Sequence, residues 1–149
     1  MASREVGRAV YKNILVPVAG NKADEEAIKL ACHLAKKEKG KVRAVYVITV
    51  RRSLPLDVEI DPEINKGEEI LDHAQRVADE EECRLETDLL QAREAGPAII
   101  DEAVESEADL ILMGVEYKRR FGQFSLGSSV LYVFKNAPCR VILYQQFKE

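Results

Sequence analysis

Asp109-Leu-Ile-Leu-Met-Gly114, followed after a basic loop by Gly127-Ser128-Ser129, is the stretch on which the fold turns. An apolar run of strand length closes on a glycine, and a second glycine with two hydroxyls then opens a helical pattern. Glycine lets the main chain approach an anion closely, while the first free N–H groups of a helix and small hydroxyls supply donors. The segment therefore reads as a backbone cradle for phosphate. Each half also has a simpler reading, since a glycine after a strand permits a turn and serine is a common helix N-cap.

Outward from this stretch the chain alternates. Ile14-Leu-Val-Pro-Val18 is a short buried strand closed by the turn Ala19-Gly20-Asn21. A helix is expected from Ala23 to Lys39, with Ala27, Ile28, Ala31, Leu34 and Ala35 on one face, acids in its first turn, lysines in its last and Gly40 as its cap. Val42–Val50 returns as a second strand. Arg51–Pro62 reads as an irregular surface loop and a candidate lid. Ile64, Ile70, Leu71, Ala74, Val77 and Ala78 mark a long amphipathic helix ending near Glu82. Leu85–Gln91 is a third, partly polar strand suited to a sheet edge. Gly96-Pro97 opens a third helix with Ile99, Ile100, Ala103 and Val104 facing inward. Leu110–Met113 is the fourth strand, Ser129–Lys135 a short helix stopped by Asn136-Ala-Pro138, and Arg140–Tyr144 the fifth strand.

Five strands alternating with four helices imply an α/β fold, a doubly wound, open, parallel five-stranded sheet with helices on both faces. With strand order 3-2-1-4-5 the winding reverses between strands one and four, and ligands in such sheets sit outside the strand ends at that reversal. The turn Pro17–Asn21 and the turn after Gly114 then meet at one crevice.

The chain has 149 residues, 46% of them hydrophobic, enough for one core and most economically one domain. Lys and Arg number 22 against 26 Asp and Glu, and the net charge of −4 gives no support to nucleic-acid binding. Apolar runs such as Ala44–Val50 and Leu110–Val115 fall short of a bilayer span, so no membrane insertion and a cytoplasmic location are expected. Cys32, Cys83 and Cys139 are odd in number and widely spaced. They read as buried free thiols rather than a disulfide framework or zinc cluster.

Three segments together carry a family resemblance: Tyr11-Lys-Asn-Ile-Leu-Val-Pro-Val18, Met113-Gly114 through Gly127-Ser128, and Asn136-Ala-Pro-Cys-Arg-Val-Ile-Leu-Tyr144. From about Tyr11 to Tyr144 the chain resembles the universal stress protein family. The resemblance implies an adenine nucleotide alpha-hydrolase-like fold, a homodimer joined through the last strand, a stress-response or regulatory role, and in one branch the binding of ATP or a related nucleotide such as AMP.

That branch resembles a pattern of glycine, two residues, glycine, nine residues, glycine and Ser or Thr. Gly114 fits its first position and Gly127-Ser128 its last pair, but Tyr117 stands at the middle one, where bare backbone is needed. Gly122 lies in the same loop, out of register. The branch also has an aspartate two residues after the strand-one proline, and here that position is Ala19. A missing charge-assisted bond weakens affinity by about 1.5–3 kcal/mol, roughly one to two decades. The site residues implied are Pro17 and Val18 on the first strand and Val47 on the second, where an adenine ring would pack, Ala19 at the position of the lost acceptor, and Met113, Gly114, Gly127, Ser128 and Ser129, with Arg119 or Arg120 closing over phosphates.

Three readings stay open, the first two being a regulatory homodimer with an altered nucleotide site that acts through an unidentified protein partner, and an ATP- or AMP-binding switch on the retained cradle. A weak ATPase is the third, although no catalytic set emerges, since ATP hydrolysis needs a positioned base or metal-holding carboxylate and the crevice turns offer one acid, Glu116. His33 and His73 lack metal-ligand spacing, and His33 points away from Cys32. The apolar strand Arg140–Tyr144, at the sheet edge in the assumed order, invites a second copy.

Overall fold

The apolar runs form the strands expected of them. The computed structural model describes residues 11–116, 119–120, 123–124 and 128–146. Within these, β1 (Asn13–Pro17), α1 (Ala23–Lys36), β2 (Lys41–Thr49), α2 (Asp61–Glu80), β3 (Leu85–Ala92), α3 (Ala95–Glu105) and β4 (Leu110–Glu116) follow in order. A small hairpin, β5 (Arg119–Arg120) and β6 (Gln123–Phe124), precedes α4 (Ser128–Asn136) and β7 (Arg140–Gln146). The main sheet has the order β3-β2-β1-β4-β7, every pair parallel, so β7 is the fifth strand of the expected arrangement. The sequence alone gives Arg119, Arg120, Gln123 and Phe124 only as part of a basic loop. The antiparallel pairing Arg119 with Phe124 and Arg120 with Gln123 is additional.

Parallel strands covered on both faces need continuous apolar runs rather than alternation, and Ile14, Leu15 and Val16 are all essentially unexposed. Their side chains divide between two cores. Ile14, Val16, Val42, Ala44, Leu110 and Leu112 meet α1 and α2, whereas Leu15, Val45, Ile111 and Met113 meet Ile99 and Ala103 of α3 and Val130 and Val133 of α4. The alanine face of α1 (Ala27, Ala31, Ala35) is fully buried and lets that helix lie close to the sheet.

Four expectations are corrected. At the end of α1, Lys39 takes the left-handed conformation (φ 54°), while Gly40 donates to the Ala35 carbonyl at 2.8 Å. A Cβ on Gly40 would come within 2.7 Å of the Lys12 carbonyl oxygen, so the glycine answers to close packing rather than to the cap. Pro62 belongs to the first turn of α2, where its missing N–H costs nothing. The segment between β2 and α2 is no lid: Arg93 Nη1 donates to the carbonyls of Arg51 (2.7 Å) and Leu54 (2.8 Å), and Gln91 Nε2 to those of Leu56 (2.9 Å) and Val58 (2.8 Å). These bonds tie it to the β3 edge. Finally, Val104 is 58% exposed, because α3 turns Ile99, Glu102 and Ala103 inward, and Val104 lies one residue, or about 100°, further round.

The buried Glu102 faces a crowded cation. Arg43 of β2 reaches Glu86 at 2.6 Å, Asp88 at 3.7 Å and Glu102 at 3.7 Å, one guanidinium among three carboxylates. Burial, then the nearby charge of Asp88, raises the Glu102 pKa above the usual glutamate value, with Arg43 opposing. Between the ordinary and the raised value the folded chain holds more protons than the unfolded one, so stability falls as pH rises through that window. Glu102→Gln is therefore expected to raise the melting temperature at neutral pH and to flatten the loss of stability as pH rises above the ordinary glutamate value. Calorimetry across that range checks it, and a lower melting temperature at pH 7 would count against the assignment.

Candidate functional site

The chain winds away from β1 in both directions, and the reversal between β1 and β4 opens a crevice at the carboxyl ends of the strands. Its cavity of about 350 Å³ is lined by Pro17, Val18, Ala19 and Asn21 from the first turn, Val45, Tyr46 and Val47 from β2, Ala95 and Ile99 from α3, Met113 to Glu116 from β4, and Ser129 and Val130 from α4. Seven of the expected site residues thus come together: Pro17, Val18, Ala19, Val47, Met113, Gly114 and Ser129. Ser128 is exposed at the start of α4 and does not line the cavity. Arg119 and Arg120 belong to the small hairpin, and only their backbone is described. Tyr117, Lys118, Gly122 and Gly127 lie outside the described residues.

Gly114 does not end its strand. It pairs with Tyr144 in the middle of the β4–β7 ladder, which runs on to Glu116. A Cβ there would stand 2.6 Å from the Ala23 carbonyl oxygen and 3.1 Å from the Ala23 side chain. The missing side chain makes room for the first turn of α1, whether or not a ligand is present.

That first turn carries what the sequence reading missed. The carboxylate of Asp24, which is 7% exposed, accepts the Ala19 N–H at 3.1 Å and the Gly20 N–H at 2.7 Å. Glu116 at the end of β4 accepts the Lys22 N–H at 2.9 Å, and the Asn21 Oδ1 accepts the Ala23 N–H at 2.9 Å. Free amides at such a turn are what would receive an anion, and on the β1 side they are bonded to the chain's own acceptors. Burial pushes the Asp24 pKa up, against the amides of Ala19, Gly20 and Asn21 and the charge of His73, which pull it down. Asp24 was legible only as one of three acids complementing the helix dipole.

Beside the crevice, between α1 and α2, lies a hollow of about 520 Å³ lined by Gly20, Asn21, Lys22, Asp24, Glu25, Glu26, Glu69, Ile70 and His73. Four carboxylates against one lysine and one histidine make it unsuited to phosphate. Among the described residues, no three or more His, Cys, Asp or Glu side chains converge as a metal-binding group. Among the same residues, no helix is long and apolar enough to cross a membrane.

Known proteins agree with this architecture. The family model for the universal stress protein family matches residues 10–145. A universal stress protein of Methanocaldococcus jannaschii is 32% identical over 149 residues, covering 96% of this chain and 87% of its relative. The structure of a universal stress protein from Archaeoglobus fulgidus superimposes with a TM-score of 0.76 at 24% identity, over 90% of this chain and 98% of the other. The structure of the universal stress protein from the same organism in complex with dAMP gives 0.71 at 25% identity, over 91% and 98%. With its five parallel strands in this order and a match over nearly its whole length, the chain belongs to the universal stress protein family, with the adenine nucleotide alpha-hydrolase-like fold.

Proposed function

We propose that this chain is a cytoplasmic, homodimeric stress-response regulator whose adenine-nucleotide site is altered, and that it acts through a protein partner. The observation that carries the reading is the bonding of the Ala19, Gly20 and Lys22 amides to Asp24 and Glu116. A phosphate entering that side must displace a carboxylate or lie beside one. Ala19 offers no side-chain acceptor for a nucleotide, and Tyr117 replaces a glycine of the nucleotide pattern. Mass spectrometry of small molecules released from the purified protein is expected to find no stoichiometric adenine nucleotide. Retained ATP or AMP at one per chain would overturn the reading.

A second reading, an AMP- or ATP-binding switch, is favoured by the apolar wall of Val18, Val47 and Met113, by Ser129 facing the cavity, and by the dAMP complex of the similar Archaeoglobus protein. In that case Gly114, Gly127 and Ser128 would hold the phosphates, with Arg119 or Arg120 closing over them. Hydrolysis finds less support, because the carboxylates of Asp24 and Glu116 are already engaged with backbone amides.

The proposed dimer rests on β7. Among the described residues it pairs with β4 on one side only; it carries Val141, Ile142 and Leu143, and follows a helix whose Leu131, Tyr132 and Phe134 are 57%, 40% and 46% exposed. An unpaired edge beside exposed apolar side chains suits antiparallel pairing with a second copy. Sedimentation is expected to give a dimer mass for the parent chain and a monomer mass for Ile142→Pro, which removes a ladder donor. A parent chain that sediments as a monomer contradicts the dimer.

A further inference from the structure

The sheet has a second edge, at β3. Along a strand, side chains and backbone groups both alternate in direction from one residue to the next. The carbonyls of Arg84 and Ala92 turn toward β2, where they accept the N–H groups of Val42 at 3.2 Å and Val50 at 2.8 Å. Leu85, Thr87 and Leu89 are out of step with those two, so their N–H and C=O groups aim away from the sheet. Among the described residues no backbone group meets them. The far end of the edge is occupied by the segment that Gln91 and Arg93 hold, which leaves the run from Leu85 to Leu90 open.

One side of this edge is acidic. Leu85 and Leu89 turn to the core beneath α2, whereas Leu90 packs toward α3, and Glu86 and Asp88 share the face of Leu90. On that face a groove of about 390 Å³ separates β3 from the outer side of α3, with Leu56, Leu90, Pro97 and Ala98 among its lining. Its carboxylates are those of Glu94, Asp101, Glu102 and Glu105. The cations nearby are already engaged: Arg93 with the carbonyls of Arg51 and Leu54, Lys41 with Glu86 at 3.2 Å, and Arg43 with Glu86, Asp88 and Glu102 together. Among the described residues no lysine or arginine pairs with Glu94, Asp101 or Glu105. Glu102 is only 8% exposed and reaches Arg43 at 3.7 Å, too far for a hydrogen bond. Burial and then the charge of Asp88 raise its pKa, as befits a carboxylate short of positive partners.

Charge decides what such an edge accepts. A second copy paired through β3 would set Glu86 and Asp88 beside acids of its own, and like charges across a ladder are destabilising. An extended segment with lysine or arginine at every second residue meets the opposite condition. Its backbone would continue the ladder at Leu85, Thr87 and Leu89, its cations would stand over the acids, and their aliphatic stems would lie along Leu90, Pro97 and Ala98.

We propose that β3 is a docking edge for an extended, basic segment of a partner protein, which joins the sheet as a sixth strand with its cations over the groove beside α3. The proposal rests on the part of the reading above in which the chain acts through a protein partner. Its test needs no nucleotide, so a failure here is separate from a failure at the crevice.

The probe is a short fluorescein-labelled peptide of alternating lysine and valine, titrated against the intact chain and followed by anisotropy. Saturable binding that weakens with added salt is expected, and the alternating glutamate and valine peptide is expected not to bind. Reversing two exposed acids in Asp101→Lys with Glu105→Lys should lower the affinity about tenfold. Thr87→Pro, which removes an outward donor and no bond to β2, should weaken binding as well. Because the first variant changes only exposed side chains of α3, it decides the matter if the proline disturbs the strand. Hydrogen exchange of the Leu85, Thr87 and Leu89 amides is expected to slow when the peptide is bound. Equal binding of the same peptide N-methylated at alternate residues, unchanged affinity after the double charge reversal, or protection that appears at β7 instead of β3 would each overturn the proposal.

Discussion

Asp24→Ala is expected to destabilise the fold by about 1–3 kcal/mol, the cost of leaving bonded amides without their acceptor, and at the same time to improve the binding of ATP. The carboxylate bridges the Ala19 and Gly20 N–H groups at 3.1 and 2.7 Å and fixes the turn that leads from β1 into α1. Removing it loosens the turn and frees two donors for an anion. Charge-assisted bonds are the strong ones, so even one recovered phosphate contact is expected to raise affinity about tenfold, equivalent to about 1.4 kcal/mol. Asp24→Asn keeps one acceptor but turns the other atom into a donor facing an N–H, and should fall between the two on both counts. Urea unfolding and calorimetric titration of the same preparations measure the two effects. An unchanged urea midpoint would show that Asp24 does not hold the turn.

Gly114→Ala is expected to cost a further amount of similar size, about 1–3 kcal/mol, as overpacking does in a close-packed interior. The added methyl would stand 2.6 Å from the Ala23 carbonyl oxygen and 3.1 Å from its side chain. Both neighbours are fixed, one by the α1 backbone and the other by a residue with no exposed surface. Relief requires α1 to shift away from β4, which disturbs Ala27, Ile28 and Ala31 in the core beneath it. The measurement is made without any ligand. A glycine kept only for a phosphate would leave unliganded stability unchanged, and that result would return Gly114 to a ligand-cradling role.

The architecture was legible because both cores write themselves into the sequence. Ile14, Leu15 and Val16 form one unbroken apolar run since helices cover both faces of β1, and the Ala27, Ile28, Ala31, Ala35 stripe has the period of a helix. What escaped detection depends on side-chain direction or on distant packing. An acid in a first turn reads as a complement to the helix dipole, and only the fold reveals Asp24 reaching back to the amides before it. Gly114 reads as a strand terminator, whereas β4 continues through Val115 and Glu116 and the glycine serves α1 on the neighbouring strand. Arg93 and Gln91 give no sign in sequence that they will fasten the segment before α2 through five carbonyls. Val104 has the chemistry of a core residue and the wrong angle for it, while Glu102 has the angle and takes the buried place.

The crevice was legible for a different reason. Pro17, Val18, Val47, Met113 and Gly114 lie between the middle of their strands and just past the carboxyl ends, on strands that the topology must bring together once the winding reverses between β1 and β4. Its electrostatics were not legible, because backbone donors have no letter in the sequence. Their engagement by Asp24 and Glu116 is the observation on which the proposed function rests.

Isothermal titration of the purified chain with ATP, and with AMP and cyclic AMP for comparison, tests this account most directly. With the β1-side amides already bonded and the side-chain acceptor at position 19 absent, no nucleotide is expected to bind more tightly than about 10 μM, and a loss of one to two decades from a micromolar site gives about 10–100 μM. Saturable binding of ATP at low micromolar concentration, one per chain, would contradict it.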